Sequence, residues 1–427
     1  MKKLIVIFFV SLLSIANIEN INATNQSGQK KTVTLDECYN LAIKNSTISR
    51  KDNTNRVINA NNTKDAYSVY IPNIALNSVA SYQSDVISIS LPNMKEPRKE
   101  NYSVTLDLNQ PIYNGGIASK KSELAKSNLE ASTIKLNIEK LALRDQVSSL
   151  FLGISLLKSV ADILDLNIGI LDRNIKKMKN LFDNGVGQKS DYLQLESELI
   201  KAKQALANNK ADQSKIVNML SILIGEKLSI DYDYIIPYRD FKTTFTSHRP
   251  EYELYNVQSK ILDENIKLVD VNNLPKLSLF ASGGNGLPGY NMLNRASDWF
   301  YKVGIKFSIP ITSWKTTKYK KQSLTLQKKL ITTQKDDYTK QNNIYIAQTQ
   351  GEITKYKNTI EYDKVIVNKK KEIATIEESK LQKGIITSSE YITELNQYKE
   401  AMLAQKLNEI KLVQAIINYK SAIGQEN

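Results

Sequence analysis

Two hydrophobic periods alternate along this chain. From Tyr102 to Gln110 the period is two: Tyr102, Val104, Leu106 and Leu108 fall on one face, Ser103, Thr105, Asp107 and Asn109 on the other. From Leu143 the apolar positions step by four and three through Val147, Leu150, Ile154, Leu157, Ala161, Leu164, Ile168, Leu171, Ile175, Met178 and Phe182. The first pattern predicts a strand with one apolar face; the second predicts a helix carrying a coiled-coil seam. Both patterns recur. Tyr102-x-Val104-x-Leu106-x-Leu108 returns as Tyr301-x-Val303-x-Ile305-x-Phe307, and Pro111-Ile112 as Pro310-Ile311. Gly185 returns as Gly384, Asp191-Tyr192 as Glu390-Tyr391, and Gly225 as Gly424, each 199 residues on (384 minus 185). A repeat that holds register across strand-like and helix-like segments predicts two equivalent structural units in tandem.

The punctuation places the elements. The first unit, 24–225, is predicted to hold a helix Leu35–Tyr70, a β-hairpin 72–111 and a helical hairpin 116–225. Its first strand runs Asn73–Tyr82. Its long helix runs to Asp183, about 100 Å at 1.5 Å per residue, and Asn184-Gly185-Val186-Gly187 stops it. The return helix runs Tyr192–Leu223, with Ser190 or Lys189 at its cap. A connector, 226–249, rich in Tyr and Asp, lies beside the rod as an irregular belt. The second unit, 250–427, is predicted to hold a helix, a β-hairpin 275–311 with strands Lys276–Ser282 and Tyr301–Ile309, and a helical hairpin 314–424. Leu91–Met94 and Gly283–Gly286 read as hairpin loops. In the second long helix Ile346, Ile353, Ile360, Val367, Ala374 and Leu381 keep one seam line, while Thr349, Tyr356, Asp363, Lys370 and Glu377 occupy the other. That hairpin either packs more loosely or buries a different face.

The strand runs have the length of transmembrane β-strands, roughly 9–11 residues. Lipid outside and water inside would produce their alternation, and a soluble half-buried sheet would too. In the membrane reading, Asp107, Lys302 and Lys306 face a lumen, and Trp299 and Trp314 bracket a strand as interface aromatics. Beyond the N-terminus no other apolar run of transmembrane-helix length is expected. Four strands cannot close a barrel, and an open edge in lipid leaves backbone groups unpaired. Membrane insertion would therefore require several chains to share one barrel.

Composition changes the picture in three ways. Met1-Lys2-Lys3 followed by apolar Leu4–Ile15 and a small residue at Ala23 predicts a secretory signal, 1–23, with the mature chain starting near Thr24. One cysteine, Cys38, and one histidine, His248, leave little for disulfides, multi-cysteine metal sites or triad catalysis. There is no H-E-x-x-H, Walker loop or dinucleotide fingerprint, so no catalytic residues, metal or cofactor are expected. The net charge of +14 is spread along helical faces rather than gathered in an arm, and export argues against nucleic acid as a partner.

Residues 33–424 resemble the TolC family of trimeric outer-membrane efflux channels. Thr34-Leu-Asp-Glu-Cys-Tyr-Asn-Leu-Ala-Ile-Lys-Asn45 is similar to the family's opening helix, and Tyr70-Ile-Pro-Asn-Ile-Ala-Leu76 to its entry into the first strand. Leu108-Asn-Gln-Pro-Ile-Tyr-Asn-Gly-Gly116 is similar to its strand-to-helix exit. Phe182–Leu193 and Leu381–Ile392 are similar to its two helical-tip turns. The resemblance implies a membrane β-barrel with an α-helical barrel below it: long antiparallel coiled-coil hairpins and four transmembrane strands per chain, in a homotrimer with twelve strands. It implies an outer-membrane location with the helical tunnel in the periplasm, and passive export or type I secretion. It further implies docking onto a periplasmic adaptor and an inner-membrane transporter. At the entrance, Glu390 falls on the first carboxylate position of the family and Thr393 on the second, with Glu394 adjacent. Asp191 matches an acid that helps latch the closed tip, while the latching arginine position falls on Ile386. Asp191 and Glu390 also read as helix N-terminal acids favoured by the macrodipole. The alternative to the channel is a secreted coiled-coil scaffold without a pore.

Overall fold

The computed structural model describes residues 31–87, 96–236, 247–292, 295–311 and 314–425. The predicted leader 1–23, its cleavage site and the predicted loop Leu91–Met94 lie outside the described residues. The elements, in order, are β1 (Thr32–Thr34), α1 (Leu35–Asn45), α2 (Ile48–Ser68), β2 (Asn73–Tyr82), β3 (Glu100–Tyr113), α3 (Ile117–Asp183) and α4 (Lys189–Ile224). They continue with β4 (Asp233–Ile235), α5 (Pro250–Val271), β5 (Lys276–Leu287), β6 (Asp298–Ser308), α6 (Trp314–Gln382) and α7 (Ser388–Ile423).

Two rods of unequal arms carry the fold. Helix α3 has 67 residues and α6 has 69, each about 100 Å long. Helices α4 and α7, 36 residues each, return about half that distance. The shorter α2 and α5 pack beside the rest of α3, and α5 packs against α6 as well. The joints are hydrogen-bonded. Asn45 Nδ2 donates to the last carbonyls of α4, Ile222 O at 3.3 Å and Leu223 O at 3.2 Å. His248 N donates to Ile423 O at 2.7 Å at the end of α7. Helix-end carbonyls that lack an intrahelical partner are thereby satisfied.

The predicted helix Leu35–Tyr70 is in fact two. Ser46 turns extended (ψ 161°) and its N–H bonds back to Ala42 O and Ile43 O, so the chain breaks direction there. The break lets α1 turn inward on its own. Thr34 and Glu37 form a capping box at its start, and Leu35, Cys38, Tyr39 and Ala42 enter the main core with Val147, Phe151, Ile154, Val217, Leu220 and Ile417. Burial, helped by the neighbouring Glu37 charge, pushes the Cys38 thiol up to about 12; it is a packing residue. Part of the connector, within its described residues, is regular. Its β4 pairs in parallel with β1, and Tyr234 meets Phe151 edge-on with ring centroids 5.6 Å apart.

The seam of α3 is buried as its period predicts, with Val147, Ile154 and Leu171 sealed from solvent. A correction concerns hydropathy: α3 does contain a stretch apolar and long enough to cross a membrane, with mean hydropathy 1.7 and half of it buried. It is the core helix against which α1, α4, α5 and α7 pack.

The four longer strands form one antiparallel sheet in the order β2-β3-β5-β6. The repeats meet at the β3–β5 pair. A second correction is that Gly283–Gly286 lies inside β5, not in a loop. A Cβ on Gly284 would sit 2.0 Å from Val104 O of β3. Here glycine permits close backbone approach between the two repeats rather than a turn. Likewise a Cβ on Gly304 would sit 2.7 Å from Phe280 Cζ, so the Phe280 ring lies across β6. One sheet face carries Leu76, Leu106, Leu279, Tyr301, Val303, Ile305 and Phe307; Leu76 is 73% and Val303 70% exposed in the single chain. The opposite face carries Asn73, Asn77, Ser103, Thr105, Asp107, Ser278, Ser282, Lys302 and Lys306, as the strand register dictates. The outer edges of β2 and β6 have no strand partner among the described residues.

Candidate functional site: the barrel wall and the helical tip

The wall begins with strand chemistry. Asp107 sits in the centre of the polar face, with Ser282 across β5 and Ala75 across β2. Asp107 Oδ2 accepts from Asn77 Nδ2 at 2.5 Å and from Thr105 Oγ1 at 3.1 Å. Lys302 pairs in register with Ser282 and Lys306 with Ser278. Lys302 Nζ lies 5.7 Å from the Phe280 ring centroid, within cation–π range. On the other face Trp299 projects outward, 79% exposed. Trp314 opens α6, and its side chain lies outside the described residues. At the tunnel end of the polar face a concavity of about 910 Å³ is bounded by Asp65, Lys121, Lys276, Lys306 and Phe280.

The tip is made by two turns of the same construction. Gly185 (φ +75°) and Gly384 (φ +69°) end α3 and α6 in the left-handed region. Val186 N bonds Leu181 O and Gly185 N bonds Phe182 O; Ile385 N bonds Lys380 O and Gly384 N bonds Leu381 O. This is a Schellman closure in both repeats, and it demands a residue without a Cβ penalty at the glycine. The return helices differ at their caps. The α4 N-cap is Gln188, not Ser190 or Lys189, and no side chain caps it. Thr387 caps α7 in a full capping box with Glu390.

The box settles where Glu390 points in the chain. Thr387 N donates to its Oε2 at 2.8 Å and Thr387 Oγ1 at 3.0 Å. Those bonds, the backbone one first, hold its carboxyl below the usual glutamate value. Thr393 Oγ1 donates back to Ser389 O at 3.0 Å. Glu394 turns into the α6–α7 seam, where Lys370 Nζ lies 3.3 Å from its Oε2 and Gln397 Nε2 donates to its Oε1 at 3.2 Å. Asp191 reaches across to the other hairpin: Ser388 N donates to its Oδ1 at 3.0 Å. A carboxylate of the first repeat thus helps cap a helix of the second.

Two further ties between the hairpins escaped sequence reasoning. Asn174 Nδ2 donates to Tyr391 Oη at 3.1 Å, and Asn396 Nδ2 to Glu198 Oε1 at 3.2 Å. Tyr391 is buried with Leu171, Met178, Leu195, Leu381 and Leu395, and that burial raises its phenol above the ordinary value. The signal for Asn174 was present in α3: an amide at a position flanking the apolar seam. The polar seam line of α6 is likewise paired rather than empty. Asn408 Nδ2 donates to Asp363 Oδ2 at 2.7 Å, Lys370 joins Glu394 and Gln397, and Thr349 Oγ1 donates to Tyr345 O and Ile346 O. Ile346, Ile353 and Ile360 keep the other line buried.

Among the described residues no group of His, Cys, Asp and Glu could hold a metal ion. The candidate site is an amphipathic sheet wall and a tip at which the two hairpins are hydrogen-bonded to each other.

Comparison with known proteins places likenesses beside this arrangement. Residues 62–226 match the family model described as outer membrane efflux protein. No curated protein matches the chain in sequence. In three dimensions the chain is similar to the outer membrane protein VceC of Vibrio cholerae, with TM-score 0.69, 12% identity, and coverage of 92% of this chain and 96% of that one. It is similar to the Campylobacter jejuni CmeC outer membrane channel, with TM-score 0.67, 15% identity and coverage of 97% and 93%. It is similar to the open state of the Neisseria gonorrhoeae MtrE outer membrane channel, with TM-score 0.62, 16% identity and coverage of 92% and 89%. Residues 62–226 thus match the outer membrane efflux protein model, and the chain as a whole shares the fold of these outer-membrane channels.

Proposed function

We propose that three copies of this chain close into one outer-membrane exit duct, its strands in the membrane and its helical tunnel in the periplasm. The observation that carries the reading is the open sheet: among the described residues, four strands, a lipid-like face and two edges without a strand partner. Each backbone group left unpaired in hydrocarbon costs several kcal/mol. Pairing β6 of one copy with β2 of the next removes both edges, and three copies give twelve strands. A soluble scaffold would instead leave Leu76, Val303, Ile305 and Phe307 in water, a patch larger than monomers tolerate.

The duct supplies a path and no chemistry; an inner-membrane transporter supplies the energy. A periplasmic adaptor would meet the tip, where Val186 is 78% and Ile385 66% exposed. Cells lacking the chain should retain an efflux dye, and re-expression should lower retention. Equal retention with and without the chain would contradict the reading.

Gating follows as a movement of the second hairpin against the first. Asp191–Ser388, Asn174–Tyr391 and Glu198–Asn396 are the ties that movement must break. Asp191→Ala with Tyr391→Phe removes two of them and is expected to raise single-channel conductance. Unchanged conductance in that double variant would place the gate elsewhere.

A further inference from the structure

The polar face of the sheet is not electrically neutral, and its charges are arranged unevenly. Lys276, Lys302 and Lys306 stand on that face, against Asp107 and, at the far end of β6, Asp298. Asp107 is already occupied by Asn77 and Thr105. It shares a row with Lys302 through Ser282, but one strand separates them, about 10 Å at the usual strand spacing. At that distance Asp107 forms no ion pair with Lys302 and cancels only one of the three lysine charges. Asp298 bonds its neighbour Trp299 N at 2.9 Å. None of Lys276, Lys302 and Lys306 forms an ion pair with another described residue.

Two of the three lysines stand at the tunnel end and the third, Lys302, in the row of Asp107. Lys276 and Lys306 are diagonal neighbours, since Lys276 pairs with Ser308 and Lys306 with Ser278. Both border the concavity of about 910 Å³, into which Lys121 of α3 and Asp65 of α2 also face. Lys302 is mounted rather than free. Gly304 has no side chain, so the Phe280 ring occupies the space above it on β6, and the Lys302 ammonium rests over that ring. A lysine on an aromatic platform keeps its charge and has fewer places to go.

We propose that the membrane end of the duct selects for anions, and that the solutes it favours carry carboxylate or phosphate groups. This rests on the exit-duct reading, in which the polar sheet face becomes the lumen and each lysine appears once per copy. Cations held in a narrow, water-filled bore with low-dielectric walls focus a positive potential and raise the local concentration of anions. At the distant tip Lys370 offsets Glu394, while Glu390 keeps its charge in its cap; the preference proposed belongs to the membrane end.

Reversal potentials of the full-length protein in planar bilayers under a potassium chloride gradient test this. The wild type is expected to pass chloride several-fold better than potassium. Lys276→Gln, Lys302→Gln and Lys306→Gln together should abolish that preference. Inorganic tripolyphosphate should block the wild-type current where a trivalent cation does not, a readout that needs no variant. A conducting channel with no preference, or with preference for potassium, overturns the inference and leaves the duct intact. Preference retained in the triple variant overturns the assignment to these lysines. A protein that assembles in the membrane and carries no current overturns the duct reading, and the selectivity with it.

Discussion

At the scale of single residues, the tip is held by groups that answer to helix ends. Glu390 is a capping-box acid first: its charge is fixed by the Thr387 N–H and hydroxyl. Thr387→Ala is expected to cost about 1 kcal/mol locally and to speed amide exchange at Ser388–Tyr391, measured by hydrogen exchange. Arg249 and Glu251, at the start of α5, illustrate a second device. Burial alone would raise the Glu251 carboxyl, and the Arg249 hydrogen bond and charge overcome it, so it titrates below 4.5. Arg249 Nη1 also donates to Ser421 O at 3.1 Å, tying α5 to α7. A depressed carboxylate contributes stability that is present above its unfolded value and lost as the pH falls through the folded one. Melting temperature should therefore drop on acidification below 4.5, and Arg249→Ala should flatten that drop while costing about 3 kcal/mol at neutral pH. Gly185 and Gly384 were legible in the chain because a left-handed helix end favours glycine strongly. Asp191 was legible as an acid at a helix start. Its partner, Ser388, is 197 residues away, and no local pattern records a bond of that span.

At the scale of elements, periodicity carried most of the reading. The α3 seam and the period-two strands appear where the apolar positions put them, because both arise from one face meeting a uniform environment. Glycine misled. Gly283–Gly286 has the composition of a loop, yet β5 needs Gly284 and Gly286 without side chains so that β3 can lie close. The break after Asn45 was also hidden, since Ser46 and Thr47 are mild helix formers and only the inward turn of α1 separates it from α2. The polar line of α6 left two readings open in the sequence. Asp363–Asn408 and Lys370–Glu394 now occupy it as matched pairs across α6 and α7. Partly buried polar pairs are often no more stabilising than apolar residues of similar volume. Asp363→Leu with Asn408→Leu should accordingly hold or raise the melting temperature, while lowering the frequency of opening in single-channel records. A hairpin that opens as before with an apolar seam would show that the polar pairs play no part in its movement.

At the scale of the whole molecule, the repeat governs. One unit supplies a hairpin of strands, a short helix and a long helical hairpin, and two units joined at β3–β5 make a sheet that is open at both sides. The offset of 199 residues (384 minus 185) announced that architecture; the sheet order β2-β3-β5-β6 did not follow from it until the strands were placed. In the proposed duct, a sheet whose β2 and β6 edges lack a strand partner among the described residues, above helices that run about 100 Å, shares those edges with further copies. The direct test is the mass and conductance of the protein extracted from membranes in mild detergent. The account predicts a trimer that resists dissociation and conducts in planar bilayers. A monodisperse monomer, soluble without detergent and unable to conduct, would contradict it.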